Sequence, residues 1–112
     1  MNLLEQYIER MSNGDAPGLA DLFCEDGVLH DSSLLKVGQD TLHMEGKMAV
    51  EMIFHHRFGF NGGPFPITGV RVKDDNALWY FIQYEQKVVQ VMAYLSQVSP
   101  DGLIQRLNIY PL

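Results

Sequence analysis

The hydrophobic rhythm of this chain changes once, at Ile67, and that change limits what it can fold into. Before it, apolar side chains recur at intervals of three and four; after it they alternate with polar ones. Leu3, Leu4, Tyr7, Ile8 and Met11 share one face of a helix over residues 3–12, which Asn13-Gly14 ends. Asp15 caps a second helix with Pro17 in its first turn, and Leu19, Leu22 and Phe23 give it a buried stripe that runs on into Cys24. Gly27 breaks that helix, and Val28-Leu29-His30-Asp31 reads as a short strand. The mixed, polar stretch that follows holds one possible short strand, Ser33 to Val37. After Gly46, a third helix sets Ala49, Met52, Ile53 and His56 at i, i+3, i+4 and i+7, until Gly59, Gly62-Gly63-Pro64 and Pro66 end it.

From Ile67 the period is that of strands. Ile67 to Lys73, Ala77 to Glu85, Lys87 to Val98 and Leu103 to Tyr110 are four runs separated by turn residues, with Ser99-Pro100-Asp101-Gly102 the strongest turn. Helices first and a meander last imply an α+β domain with helices on one face of an antiparallel sheet. At 112 residues, without repeats or linkers, the chain reads as one domain, 1–112.

Composition removes several classes of function. Net charge is −6 and the eight basic residues are scattered, whereas a nucleic-acid surface needs a basic stripe. No apolar run approaches the roughly 18 residues of a membrane span. The acidic, amphipathic start, MNLLEQYIERM, lacks the form of a signal peptide. Cys24 is the single cysteine, so a reducing, cytoplasmic setting fits. His55 and His56 are adjacent on a helix, where metal-binding pairs prefer i, i+4. His30 and Asp31 are adjacent on a strand and point to opposite faces. Neither a metal nor a cofactor is expected.

Several segments, taken in order, carry a family resemblance: Tyr7-Ile8-Glu9, Gly14-Asp15 and Leu19-Ala20-Asp21-Leu22-Phe23, then Glu25-Asp26-Gly27-Val28-Leu29-His30-Asp31, His43, Gly46 and Asp101-Gly102-Leu103-Ile104. Together they resemble the NTF2-like superfamily, which includes ketosteroid isomerases, scytalone dehydratase and SnoaL-type cyclases. The resemblance covers nearly the whole chain. It implies a cone-shaped, cystatin-like fold in which three N-terminal helices and a curved antiparallel sheet enclose an apolar pocket for a small apolar organic molecule. Against the ketosteroid isomerases, Tyr7 falls on the oxyanion tyrosine and Asp31 on the general base. Gln90, within Val88-Val89-Gln90-Val91-Met92, stands where those enzymes keep a protonated Asp. The chain departs from that pattern at Phe54, where the isomerases have a supporting Tyr, at Ser32, where they have Pro, and in a longer stretch between Asp31 and Gly46. These differences leave the ligand open.

The resemblance thus implies Asp31 as base, its pKa raised by an apolar cone, with Tyr7 and Gln90 stabilising an oxyanion. The reaction would be an isomerisation, dehydration or cyclisation of an apolar carbonyl compound; the alternative is a ligand-binding or scaffold protein without chemistry. His56 lies on the apolar stripe of the third helix with Met52, and His30 could assist Asp31. Along the long strand, Gln90, Met92 and Tyr94 share one face, expected to line the pocket. Val89, Val91, Ala93 and Leu95 share the other, expected to be covered by a second copy in a homodimer. The resemblance puts Leu107 and Ile109 on the pocket side. Trp79 shares a face with Phe81, and Leu78, Tyr80 and Ile82 share the other; the pattern alone does not choose between them, and Trp79 is carried as a ligand candidate.

Overall fold

Local chemistry fixes both ends of the first helix. Asn2 Oδ1 accepts from the Glu5 N–H at 2.8 Å, and Glu5 Oε1 accepts from the Asn2 N–H at 3.2 Å, a reciprocal capping box. In the computed structural model, which describes residues 1–112, this helix is α1 (Leu3–Ser12). Gly14, in the left-handed region, turns the chain toward α2 (Ala16–Ala20), whose cap Asp15 accepts from the Gly18 N–H at 3.0 Å. Arg10 reaches across to the Gly18 carbonyl and ties the two helices together.

The second helix is shorter than the pattern predicts. Leu22-Phe23-Cys24 leaves helical geometry because Phe23 already pairs with Ile104, so β1 runs Phe23–Asp31. A bulge separates Phe23 from Val28. Gly27 sits inside that bulge, where an added Cβ would lie 2.8 Å from the Ile104 carbonyl oxygen. The Ser33–Val37 segment is a single 3-10 turn rather than a strand, closed by Gly38 at φ 77°. The short strand of this stretch is instead β2 (Leu42–Glu45), followed by α3 (Lys47–Asn61).

The four later runs form as predicted: β3 (Ile67–Asp74), β4 (Ala77–Tyr84), β5 (Lys87–Val98) and β6 (Ile104–Pro111). They join in a six-stranded sheet of order β2-β1-β6-β5-β4-β3. Every pairing is antiparallel except β1 with β6, so the sheet is mixed. That parallel pair sets Asp31 beside Ile109 and fixes where the site lies.

One face of the sheet is covered by the helices, and a single apolar core lies between them. Val89, Val91, Ala93 and Leu95 point into that core, while Gln90, Met92 and Tyr94 point away from it. This reverses the expected facing of the long strand. Both sets are apolar enough to read as buried, but the purely aliphatic set goes under the helices; the amide and phenol of the other can meet water. β4 follows the same parity: Leu78, Tyr80 and Ile82 face inward, and Trp79 and Phe81 outward. On α3 the buried stripe is Val50, Phe54 and Phe58 rather than Ala49, Met52 and His56. Phenylalanine buries more apolar area than methionine, and Met52 is left 69% exposed.

Candidate functional site

Asp31 ends β1 with its carboxylate turned inward, between Leu42 and Ile109, and is 4% exposed. The chain then doubles back into the 3-10 turn, which presents Ser33. The Ser33 N–H donates to Asp31 Oδ1 at 2.9 Å, and the Ser33 hydroxyl donates to the same oxygen. The other carboxylate oxygen faces Arg57, with Nη1 3.8 Å from Oδ2. Arg57 comes from the inward side of α3, one turn beyond Phe54. Its Nη2 donates to the Tyr84 hydroxyl at 3.2 Å. The guanidinium carbon lies 5.2 Å from the Phe65 ring centroid and 5.6 Å from that of Tyr84, so two aromatic rings hold the cation.

Two more phenols complete the cluster. Tyr7, on α1, is buried against the edge of Phe54, with ring centroids 6.4 Å apart. Burial, then the Asp31 charge, hold its hydroxyl far above the ordinary tyrosine range. Tyr80 is raised by burial and by its neighbours Tyr7 and Tyr84. Burial raises Tyr84 as well, against the pull of Arg57. The Asp31 carboxyl is also raised, burial outweighing the hydrogen bonds from Ser33 and the Arg57 charge.

Outside this cluster the cone opens. A cavity of about 710 Å³ lies between the 3-10 turn, the C-terminal end of α3, Phe65 and the β4–β5 turn. Arg57 and Tyr84 form part of its lining, with Leu34, Val37, Phe60 and Phe65 as apolar walls. Seven of the twelve lining residues are polar or charged, including His56, Glu85 and Lys87 at the rim. The expected apolar cone is therefore filled by side chains deeper in, and the open space is a mixed cavity at its mouth.

The predicted site residues divide accordingly. Tyr7 and Asp31 come together within the cluster, and His56 borders the cavity, stacked on Phe60 with ring centroids 6.2 Å apart. Leu107 and Ile109 lie in the core on the side of the sheet that carries Asp31. Gln90, Met92, Tyr94 and Trp79 stand on the opposite face of the sheet, and Met52 on the outer face of α3, so none of the five reaches Tyr7 and Asp31. His30 also faces outward, its Nδ1 3.0 Å from Nδ1 of His43 across the β1–β2 pair. Cys24 is buried as predicted, although on a strand; its Sγ lies 3.3 Å from Asp26 Oδ1 and 3.2 Å from Gln105 Oε1, with one S–H to share between them, and burial raises its pKa, the reverse of what a nucleophile needs.

Sequence reasoning missed Arg57, Ser33, Tyr80 and Tyr84. A signal existed for Arg57: it lies at i+7 and i+3 from Val50 and Phe54, a cation on the stripe of buried residues.

No family model matches this chain, and no curated protein matches it significantly. Solved structures do. A protein from Sphaerobacter thermophilus superposes with a TM-score of 0.72 at 23% identity, over 98% of this chain and 93% of that one. A SnoaL-like protein of unknown function from Burkholderia thailandensis gives 0.66 at 7% identity, over 97% and 91%. A protein from Catenulispora acidiphila with a ketosteroid isomerase-like fold, in complex with trimethylamine, gives 0.67 at 13% identity, over 96% and 83%. This chain thus has the NTF2-like, cystatin-like fold, α+β with its helices on one face of a curved sheet. At these identities the likeness fixes the fold and leaves the chemistry to the site.

Proposed function

We propose that this chain is a small-molecule-binding protein whose ligand occupies the cavity at the mouth of the cone. The observation that carries this reading is the Arg57 guanidinium, held between Phe65 and Tyr84 and facing an open space of about 710 Å³. Pockets for small organic molecules run from roughly 300 to 1,000 Å³ and combine apolar walls with a few fixed polar groups. The trimethylamine complex of the similar Catenulispora structure supports a fold that holds small ligands. A fragment screen followed by amide chemical shifts tests the site. Shifts are expected at Leu34, Phe60, Phe65 and Tyr84; fragments that bind elsewhere and leave these four unmoved would overturn it.

A second reading is favoured by one observation. Burial raises the Asp31 carboxyl, and burial followed by the Asp31 charge raises Tyr7, a pairing that an acid–base enzyme acting on a carbonyl compound would use. In that reading Asp31 is the base and Tyr7 an oxyanion donor, without Gln90. The Asp31→Asn variant should then abolish turnover of any substrate found. Unchanged turnover would leave Asp31 as the counter-ion of Arg57.

We also propose a homodimer through the outer face of the sheet, in a reducing cytoplasm suited to the lone thiol. Trp79, Met92 and Tyr110 form a row across β4, β5 and β6, flanked by Phe81 and Tyr94, and contiguous apolar surface of this kind favours association. Light scattering after gel filtration should give twice the mass of the chain, and Tyr94→Lys should reduce it to one. A monomeric wild-type protein at high concentration would remove the proposal.

A further inference from the structure

The guanidinium of Arg57 has five N–H donors in a fixed fork. One nitrogen, Nη2, makes a hydrogen bond, to the Tyr84 hydroxyl at 3.2 Å. The Asp31 contact, at 3.8 Å from Nη1, is an ion pair longer than a hydrogen bond, because Ser33 already holds Oδ1 with two donors and turns that carboxylate to itself. Nε and Nη1 therefore have no hydrogen-bond acceptor. No sealed polar side-chain atom of this protein lacks a partner, so these two nitrogens are reached from the open, and Arg57 borders the mouth cavity. Nη2 carries a second N–H besides the one on Tyr84, and with Nε or Nη1 beside it that proton completes the fork that a carboxylate fills with two parallel bonds.

The walls narrow the choice further. Phe65 and Tyr84 take the guanidinium beside their rings, so the place an amine would claim against those aromatics is occupied by the chain's own cation. Leu34, Val37 and Phe60 offer apolar surface beyond it. At the rim, Lys87, whose Nζ donates to the Lys36 carbonyl at 2.9 Å, is matched by Glu85, and Asp31 offsets Arg57. The formal charges nearly balance, and the selectivity rests on the direction of the donors rather than on a net field.

We infer that the mouth cavity takes an organic acid, its carboxylate seated on the free edge of Arg57 and its apolar, ring-bearing body against Phe60, Leu34 and Val37. This rests on the mouth cavity being the ligand site, and the test separates the two. Phenylbutyrate, phenylbutanamide and phenylbutylamine have the same shape and differ in the charge of one end. Each is titrated into the wild-type protein while amide shifts of Phe60, Phe65 and Tyr84 are followed. The acid is expected to bind at least about tenfold tighter than the amide, as a charge-assisted hydrogen-bonded pair requires, and the amine more weakly still. Equal affinities with shifts at these residues, or tightest binding by the amine, would overturn the acid preference while leaving the site intact. Failure of all three probes to move Phe60, Phe65 and Tyr84 would overturn both. Arg57→Lys keeps a cation for Asp31 but removes the fork, and should bring the acid-to-amide ratio below about threefold; an unchanged ratio would rule out the fork as its source.

Discussion

The closed end of the cone and its mouth are built by different rules from the same elements. At the closed end, Phe23, Leu29, Val91 and Ile104 pack with almost no exposed surface and no polar side-chain atoms. At the mouth, the same strands and the same α3 carry Asp31, Tyr84 and Arg57 into a half-buried polar cluster beside open space. Shape complementarity alone satisfies the first region. The second holds two opposite charges partly out of water, a costly arrangement that packed apolar side chains would avoid. A fold that keeps such a pair beside a cavity is spending stability there, which is the physical ground for placing function at the mouth.

Stability measurements can break that contrast. Phe23→Ala should cost about 3–5 kcal/mol in denaturant unfolding, the usual loss for a fully buried aromatic. Phe23 begins β1, eight residues before Asp31, and does not line the cavity, so probe binding per folded molecule should be unchanged. Arg57→Met should cost less, about 2–3 kcal/mol, because the ion contact is long and the cavity lets water approach the uncovered Asp31. Adding Asp31→Asn, which removes the buried charge and keeps an oxygen for the two Ser33 donors, should return most of that loss. A double variant no more stable than Arg57→Met would show that the pair holds the fold together, and the contrast between the two ends would fail.

Alkaline pH reaches the mouth without mutation. Tyr7, Tyr80 and Tyr84 have raised pKa values in the folded state, so above pH 10 the unfolded chain releases those protons first. Stability from these phenols is complete below about pH 10 and falls as pH rises further, by up to about 1.4 kcal/mol per pH unit for each. Phenolate absorbance should show these three ionising together with unfolding rather than before it. Early, non-cooperative ionisation of three or more of the five tyrosines at once would mean the cluster is open to water.

How much of this was legible depended on the range of the interaction that decides each feature. Helix α1, the Asp15 cap and the four-strand meander rest on neighbours within a few residues, and the sequence pattern finds them. Tyr7 and Asp31 were found through family resemblance, and the fold does bring them together. The facing of β5 was read the wrong way because Gln90-Met92-Tyr94 and Val89-Val91-Ala93 both look buried until one knows which side the helices take. Phe23 reads as helical until Ile104, far along the chain, pairs with it. Arg57 escaped notice for the same reason: on α3 the stripe through Met52 and the stripe through Phe54 are both plausible, and only the sheet decides between them.

The smallest expected effect separates the mouth from the rest of the surface. Met48, Met52, His56 and Phe60 follow one another at four-residue steps along the outer side of α3, and Met52 and Phe60 are 69% and 87% exposed. Replacing either with Ser should change stability by less than about 0.5 kcal/mol, since neither leaves a buried gap. The two differ in one respect: Phe60 borders the cavity and Met52 does not. Phe60→Ser should therefore weaken binding of phenylbutyrate several-fold, in proportion to the ring surface it removes, while Met52→Ser leaves it unchanged. Equal weakening by both would extend the ligand along the helix, away from Arg57, and the mouth would lose its claim as a bounded site.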